Sequence, residues 1–384
     1  MSVIFPTRLT QLKLTTFRNY ARLSLETGDK SVVLTGQNGA GKTNILEAIS
    51  FLSPGRGLRR AAYGDVALTS EKGGNGQWAV STALDTEYGD VDIGTGLHTQ
   101  DGEVEKTRKI RIAREPAKSS DQLLEHVRVL WLIPAMDGLF TGAAGDRRRF
   151  LDRLVLAIDP GHGTRVNAFD KAVRNRNRIL EEAPHNTAWL DAAETQVAEL
   201  GVAVSAARRE LIAHLAAEIE TTAETTETFP KATLALEGYV DALLSENNAT
   251  DAEDHYLRHL NENRGRDARA GRTLDGPNRA DLLVYHAQKE MPAHLCSTGE
   301  QKALLIGLVL AHARLVARLA SMTPIVLLDE IAAHLDGLRR KALFDVLEDL
   351  NCQAFMTGTD PELFDELGER AARFNVAEGI VSPL

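Results

Sequence analysis

Apolar and polar positions alternate through residues 8–35. In "RLTQLKLTTF", "ARLSLE" and "SVVLTG" a hydrophobic side chain recurs at almost every second position, the period of a strand with one buried face. The period then changes to that of a helix in "TNILEAISFL" (43–52). Further strand-like pieces are "QWAVSTAL" (77–84), "VDIGTGL" (91–97), "TRKIRIA" (107–113) and "RVLWLIP" (128–134). From about Asp146 to His259 apolar residues recur at three and four, predicting antiparallel helices with one short strand at "ATLALEG" (232–238). The polar, glycine-bearing "NENRGRDARAGRT" (261–273) reads as a loop. Strands and helices alternate again after it, through "TPIVLLDE" and "CQAFMTGTD". The pattern predicts an α/β nucleotide-binding lobe built from both chain ends, 1–145 plus 270–384, with a mainly α-helical lobe, 146–269, inserted between them.

Composition fits a water-soluble chain of about two domains, with 384 residues, 43% hydrophobic and 26% charged. The two cysteines, Cys296 and Cys352, make no disulfide or metal framework and fit a reducing cytoplasm. The N-terminus has no basic segment followed by an apolar core, so no secretory signal is expected. The longest apolar run, "ALLIGLVLA" (303–311), is far short of the about 20 residues a membrane span needs, and reads as a buried helix. The net charge of −10 lies within one segment, Glu210–Asp254, with eleven acids and one base, Lys231. Residues 141–180 hold nine bases and four acids. A negative total therefore does not exclude nucleic acid, because binding depends on where the bases cluster.

"GQNGAGKT" (36–43) follows an apolar strand and opens a helix. This is the context in which G-x-x-x-x-G-K-[ST] holds phosphate. Gly36, Gln37, Asn38, Gly39, Ala40 and Gly41 supply the loop whose amides face the anion, aided by the helix dipole. Lys42 is placed for the β- and γ-phosphates of ATP, and the Thr43 hydroxyl for Mg²⁺. The strand "TPIVLLDE" (323–330) ends in two carboxylates, which a buried strand does not carry without partners. Asp329 suits the same Mg²⁺, and Glu330 suits the general base for an attacking water.

A second loop, "CSTGEQK" (296–302), also leads into a helix. A capped core helix accounts for it, with Ser297 or Thr298 as cap and Glu300 in the first turn. The alternative is a second γ-phosphate cradle, from the Ser297 hydroxyl and the Gly299 amide. One nucleotide does not need two cradles from one subunit. The second reading therefore implies a two-fold dimer in which residues 297–300 meet the partner's ATP.

Together these motifs resemble the ATP-binding-cassette superfamily. "LKLTTFRNY" (12–20), "GQNGAGKTNILEAISFLSPGRGLR" (36–59), "GDRRRFLDRL" (145–154), "LDGPNRADL" (274–282), "CSTGEQKALLIGLVLAHA" (296–313) and "LLDEIAAHLD" (327–336) resemble its RecF branch from end to end. The resemblance implies a cytoplasmic, ATP-dependent DNA-binding protein of recombinational repair and replication-fork recovery. It also implies an ATP-dependent homodimer, slow hydrolysis, a preference for duplex DNA or single-strand/duplex junctions, and work with RecR and RecO in loading recombinase. Carried over by position, Lys42 and Thr43 hold phosphate and Mg²⁺, Ser297, Thr298, Gly299 and Glu300 meet the partner's ATP, Asp329 supports the metal and Glu330 activates water. The chain departs from the superfamily at Ala333, where a serine is usual, and at "MTGTD", where transporters place a histidine and this chain has Thr357 and Thr359. "PAMDGL" and "GPNRAD" also differ from the usual forms and leave the Mg²⁺-sensing glutamine unassigned.

DNA-contact candidates are Arg56, Arg59 and Arg60, the run Arg147, Arg148 and Arg149, the strand bases Lys106, Arg108, Lys109 and Arg111, and the group Arg174, Arg176 and Arg178. With three Trp and six Tyr a base-stacking platform is not indicated, so contacts to phosphate with little sequence preference are expected. Two other classes compete. A transporter's ATPase subunit has no place for the helical lobe among the about 250 residues between the two loops. A chromosome-structural ATPase needs heptads sustained far beyond this lobe. No membrane partner is expected.

Overall fold

The computed structural model describes residues 4–69, 72–100, 103–223 and 228–384. Two acids of the 210–254 segment, Glu224 and Glu227, lie outside the described residues. The chain opens with β1 (Arg8–Phe17), β2 (Tyr20–Glu26), β3 (Ser31–Thr35) and α1 (Lys42–Ser50). β4 (Trp78–Thr86), β5 (Gly89–Leu97), β6 (Thr99–Gln100), β7 (Glu103–Val104), β8 (Lys109–Ile112), β9 (Glu115–Pro116) and β10 (Val129–Leu132) follow. Next come α2 (Ala144–Leu156), α3 (His162–Glu182), α4 (Thr187–Ala223), β11 (Ala232–Glu237), α5 (Tyr239–Glu246), α6 (Ala249–Glu262) and α7 (Arg264–Ala270). β12 (Asp281–His286), β13 (Met291–Pro292), α8 (Thr298–Ala320), β14 (Ile325–Leu328), α9 (Gly337–Asp349), β15 (Ala354–Gly358), β16 (Ala371–Ala377) and β17 (Ile380–Pro383) complete it.

Two compact units result, Met1–Asp137 with Leu305–Leu384, and Gly138–Leu304. The first holds two six-stranded sheets. One runs β2-β1-β4-β5-β8-β9 and is antiparallel throughout. Its strands keep the expected alternation, with Leu12 and Leu14 buried and Lys13 and Thr15 exposed. The other runs β10-β14-β15-β3-β16-β17, parallel except for the last pair. Every residue of β10, β14 and β15 is buried, as a parallel sheet covered on both faces requires.

The second unit takes in 138–145 and 270–304 as well as 146–269. The reason is a strand pairing: β12 runs antiparallel to β11 from Glu237↔Asp281 to Ala232↔His286, which holds the returning chain beside the helices. Its core gathers Phe169, Val173, Val197, Val202, Tyr256 and Leu260.

Residues 261–273 are not the loop that their composition suggests. α6 continues to Glu262 and α7 covers Arg264–Ala270, ending on Gly271 in the left-handed region at φ 65°. Buried ion pairs stabilise this turn. Arg176, fully buried, donates to Glu194 at 3.0 Å, to Asp267 at 2.8 Å and to the Thr273 hydroxyl at 2.8 Å. α8 grows from the nine-residue apolar run into 23 residues, long and apolar enough to cross a membrane by composition. Leu304, Leu308, Val309, Leu315 and Val316 are nonetheless buried in the fold, so α8 is a core helix.

Candidate functional site

The phosphate loop joins β3 to α1, and its three glycines have positive φ: Gly36 at 147°, Gly39 at 80° and Gly41 at 115°. Two of them also face walls. A Cβ on Gly36 would lie 2.1 Å from the Val376 carbonyl oxygen, and one on Gly41 would lie 2.5 Å from Asn19 Nδ2 and 2.7 Å from the Tyr20 hydroxyl. Lys42 is buried and donates from Nζ to the carbonyls of Gly36 (2.7 Å) and Gln37 (2.9 Å). Burial pulls its pKa down, against the opposing pull of Glu330 and Asp329. Gln37, Asn38 and Gly39 form an exposed rim.

The "FRNY" turn after β1 clamps this loop, which accounts for the two motifs occurring together. Asn19 donates to the Ala40 carbonyl (3.2 Å) and the Tyr20 hydroxyl to the Gly41 carbonyl (3.1 Å). Asn44 on α1 donates back to Asn19 (2.7 Å). Arg18 forms a two-pronged bond to the fully buried Glu47, at 2.8 and 2.6 Å. Arg59 also donates to Glu47 (2.9 Å) and to Asn44 (2.6 Å), so its guanidinium holds α1 instead of standing free for DNA.

The acidic strand end meets the loop within the same unit. The Thr43 hydroxyl donates to Asp329 Oδ1 at 2.8 Å. The Thr357 hydroxyl donates to the same oxygen at 2.8 Å and accepts the Glu330 amide at 2.9 Å. Glu330 sits at φ 56°, a conformation that costs a non-glycine residue energy unless neighbours hold it. The sequence places Thr357 in the run where transporters carry a histidine but assigns it no bond; its link to Asp329 and Glu330 appears only once the sheet sets β15 beside β14.

The donor set fits Mg²⁺. A hydroxyl and a carboxylate meet at one point, both hard oxygen ligands, and no group of three or more His, Cys, Asp or Glu forms a metal cage among the described residues. Magnesium sites of this kind use one or two protein groups and leave the remaining positions to water and phosphate.

In the second unit, Ser297 and Glu300 form a capping box at the start of α8. Glu300 Oε2 accepts the Ser297 amide (3.0 Å) and hydroxyl (2.8 Å), and the Glu300 amide donates to Ser297 Oγ (3.4 Å). Lys289 hydrogen-bonds the same carboxylate, and these bonds hold its pKa down at about 2. Ser297, Thr298 and Gly299 are exposed, and a Cβ on Gly299 would meet nothing within 4 Å. The capped-helix reading thus describes the local bonding, and the helix start stays open to a ligand.

The basic candidates separate sharply. Arg56 and Arg60 are exposed. Arg147 binds Asp281 through two 2.7 Å bonds and donates to the carbonyls of Leu139, Phe140 and Gly142. Arg148 donates to the Ala280 carbonyl at 2.8 Å. Arg149 is exposed and pairs with Asp146. Arg147 is therefore a structural tie, contrary to its place among the DNA-contact candidates. Arg108 is also buried, donating to the carbonyls of Phe51 and Ser53, and Arg176 lies inside the helical unit.

A parallel sheet carrying a phosphate loop, an acidic strand end hydrogen-bonded to it and a Ser-x-Gly-Glu helix start define an ATPase head of the ABC and SMC type. The family described as "RecF/RecN/SMC N terminal domain" matches residues 8–382. A "DNA replication and repair protein RecF" of Rhizobium etli (strain CIAT 652) is 56% identical over 373 residues, covering 97% of this chain and 98% of that protein. Its namesake in Brucella abortus (strain 2308) is 58% identical over 370 residues, covering 96% and 94%. The chain belongs to the RecF family, as its motifs implied. The fold agrees. The solved "recombination mediator protein RecF-ATPrS in RecFOR pathway" superposes with a TM-score of 0.84 at 20% identity over 100% of both chains. An Smc head domain from Pyrococcus furiosus gives 0.53 at 14% identity, over 98% of this chain and 96% of that one.

Proposed function

We propose that the protein is an ATP-operated DNA-binding switch of recombinational repair and replication-fork recovery, acting in the cytoplasm. The observation that carries this reading is Asp329, whose one oxygen receives both Thr43 and Thr357 and so ties the phosphate loop to the catalytic carboxylates. The loop 36–43 binds the ATP phosphates, with Lys42 leaving its resting carbonyl partners for the β- and γ-phosphates. Thr43 and Asp329 would hold Mg²⁺, which when bound would supply positive charge beside the phosphates. Glu330 accepts the proton of the attacking water. Thr357 holds the Glu330 backbone in place, a task for which a hydroxyl suffices. Residues 297–300 bind the ATP of a second copy, so ATP joins two subunits on gapped or duplex DNA and slow, DNA-stimulated hydrolysis releases them. RecR and RecO are the expected partners in recombinase loading, in keeping with the RecFOR pathway named for the solved relative.

The test is ATP-dependent retention on gapped, duplex and single-stranded DNA over a salt series, run beside ATPase rates for wild type and Glu330→Gln. The expected outcome is a variant that binds ATP and stays on DNA with hydrolysis reduced at least about 100-fold, the scale of a lost general base. Unchanged hydrolysis in the variant would remove Glu330 from its role. ATP-independent DNA retention would remove the switch.

A further inference from the structure

One face of the antiparallel sheet of the first unit carries exposed residues on β2, β1, β4 and β8, with Ala79 and Gly94 half-buried and Gly96 buried among them. Register carries its outward residues across the strands in rows. Arg22, Thr15, Ala79, Gly96 and Lys109 are consecutive partners on β2, β1, β4, β5 and β8. Ser24, Lys13, Ser81, Gly94 and Arg111 form the next row. The middle of each row is small, and the bases stand toward the two sides. Lys13, Arg22, Ser81 and Arg111 are exposed, and a Cβ on Gly94 would meet nothing within 4 Å. Among the described residues Lys13, Arg22 and Arg111 have no ion-pair or side-chain hydrogen-bond partner, whereas Lys109 bonds Glu105 at 2.9 Å. The two basic rows themselves hold no acid; beyond them on the same face stand Glu26, engaged by Gln11, and Asp92 in the third row, and Asp85 and Asp90 in the next.

We propose that this face seats duplex DNA by its phosphate backbone. The proposal rests on the DNA-binding reading above and gives it a surface. Strands lie about 4.8 Å apart, so Lys13 and Arg111 stand about 14 Å apart and Arg22 and Lys109 about 19 Å. The major groove is about 12 Å wide, so bases at these separations reach the phosphates on its two lips. The small residues between them let a rigid duplex approach closely. The two rows carry no aromatic side chain, so unstacked single-stranded bases gain nothing there. They also offer no apolar anchor of the kind a protein partner would bury. Beside β8 the face meets a cleft of about 700 Å³ that adds Lys118 to Lys109 and Arg111.

The experiment compares wild type, the triple variant Lys13→Ala/Arg22→Ala/Arg111→Ala and the single Ser81→Glu. Each is measured by anisotropy on a random-sequence duplex with ATP and Mg²⁺ across a salt series. All four positions are exposed, and basal ATPase without DNA serves as the check on folding. The expected result is unchanged basal ATPase, at least 10-fold weaker duplex binding by both variants, and a salt slope that falls in the triple variant by about 0.9 per lost phosphate contact. A wild type that does not bind duplex overturns the DNA-binding reading itself. A wild type that binds, with a triple variant that matches it in affinity and slope, overturns this face alone and leaves it to an acidic protein partner.

Discussion

At the scale of single residues, the site rests on hydroxyls that recognise one carboxylate. Thr43 and Thr357 both donate to Asp329 Oδ1, and Thr357 also accepts the amide of the strained Glu330. Thr357→Val keeps the shape and removes both bonds. Leaving buried groups unpaired costs about 1–3 kcal/mol, so thermal unfolding should begin at lower temperature. ATP hydrolysis should drop about 10-fold or more with ATP binding retained, and Thr357→Ser should restore it; an equally inactive serine variant would show that the methyl, not the hydroxyl, matters. The phosphate loop was legible from sequence because its function is written in eight consecutive residues. The Thr357 bonds were not, because they join residues 28 positions apart that only the sheet brings together. Basic residues were the least legible. Sequence shows that Arg59, Arg147 and Arg176 are charged, but not that Glu47, Asp281 and Glu194 already hold them.

At the scale of elements, the strands and helices that periodicity named lie close to where it placed them; β16 and β17, past the last named strand, are not among them, and 261–273 is misread. Composition made 261–273 a loop, yet α7 forms because Asp267 on it is drawn to Arg176 on α3. Helix signals are local, and this one is supplied from 91 residues away. Arg176→Met should therefore leave the buried Asp267 without the cation that holds it, and Glu194 with Arg264 alone, at a cost of about 3–5 kcal/mol. Limited proteolysis should then cut near α7 while the phosphate loop still binds ATP; resistance equal to wild type would contradict this. α5 offers a pH test. Asp241 in its first turn is buried, and burial raises its pKa above the usual 3.8 against the pull of Arg208. The folded chain holds that proton to higher pH than the unfolded chain, so its contribution is favourable in acid and is lost as pH rises through the raised value. Asp241→Asn should melt higher than wild type at pH 8, with the difference fading toward pH 3.8. A variant less stable at every pH would mean that the carboxylate is held charged.

At the scale of the whole molecule, the claim is the dimer. With ATP and Mg²⁺ the wild type should sediment as two copies, and Ser297→Arg should remain a single copy while still binding ATP. The capping box makes the control necessary, because Ser297 also supports α8. Ser297→Asp keeps a cap and adds a negative charge, so it should fold normally and also fail to dimerise. If the arginine variant dimerises as wild type does, the trans-site reading falls.

β3, which delivers the phosphate loop, is flanked on one side by β15 and on the other by β16. Both neighbours come from the last 31 residues of the chain, and the entry glycine of the loop packs against the carbonyl of Val376. The motif is thus local but its pocket is not: β3 is held in register by partners such as Phe355 and Ala372, far from Val32 along the chain. A substitution that loosens β15 or β16 should weaken nucleotide binding without touching residues 36–43.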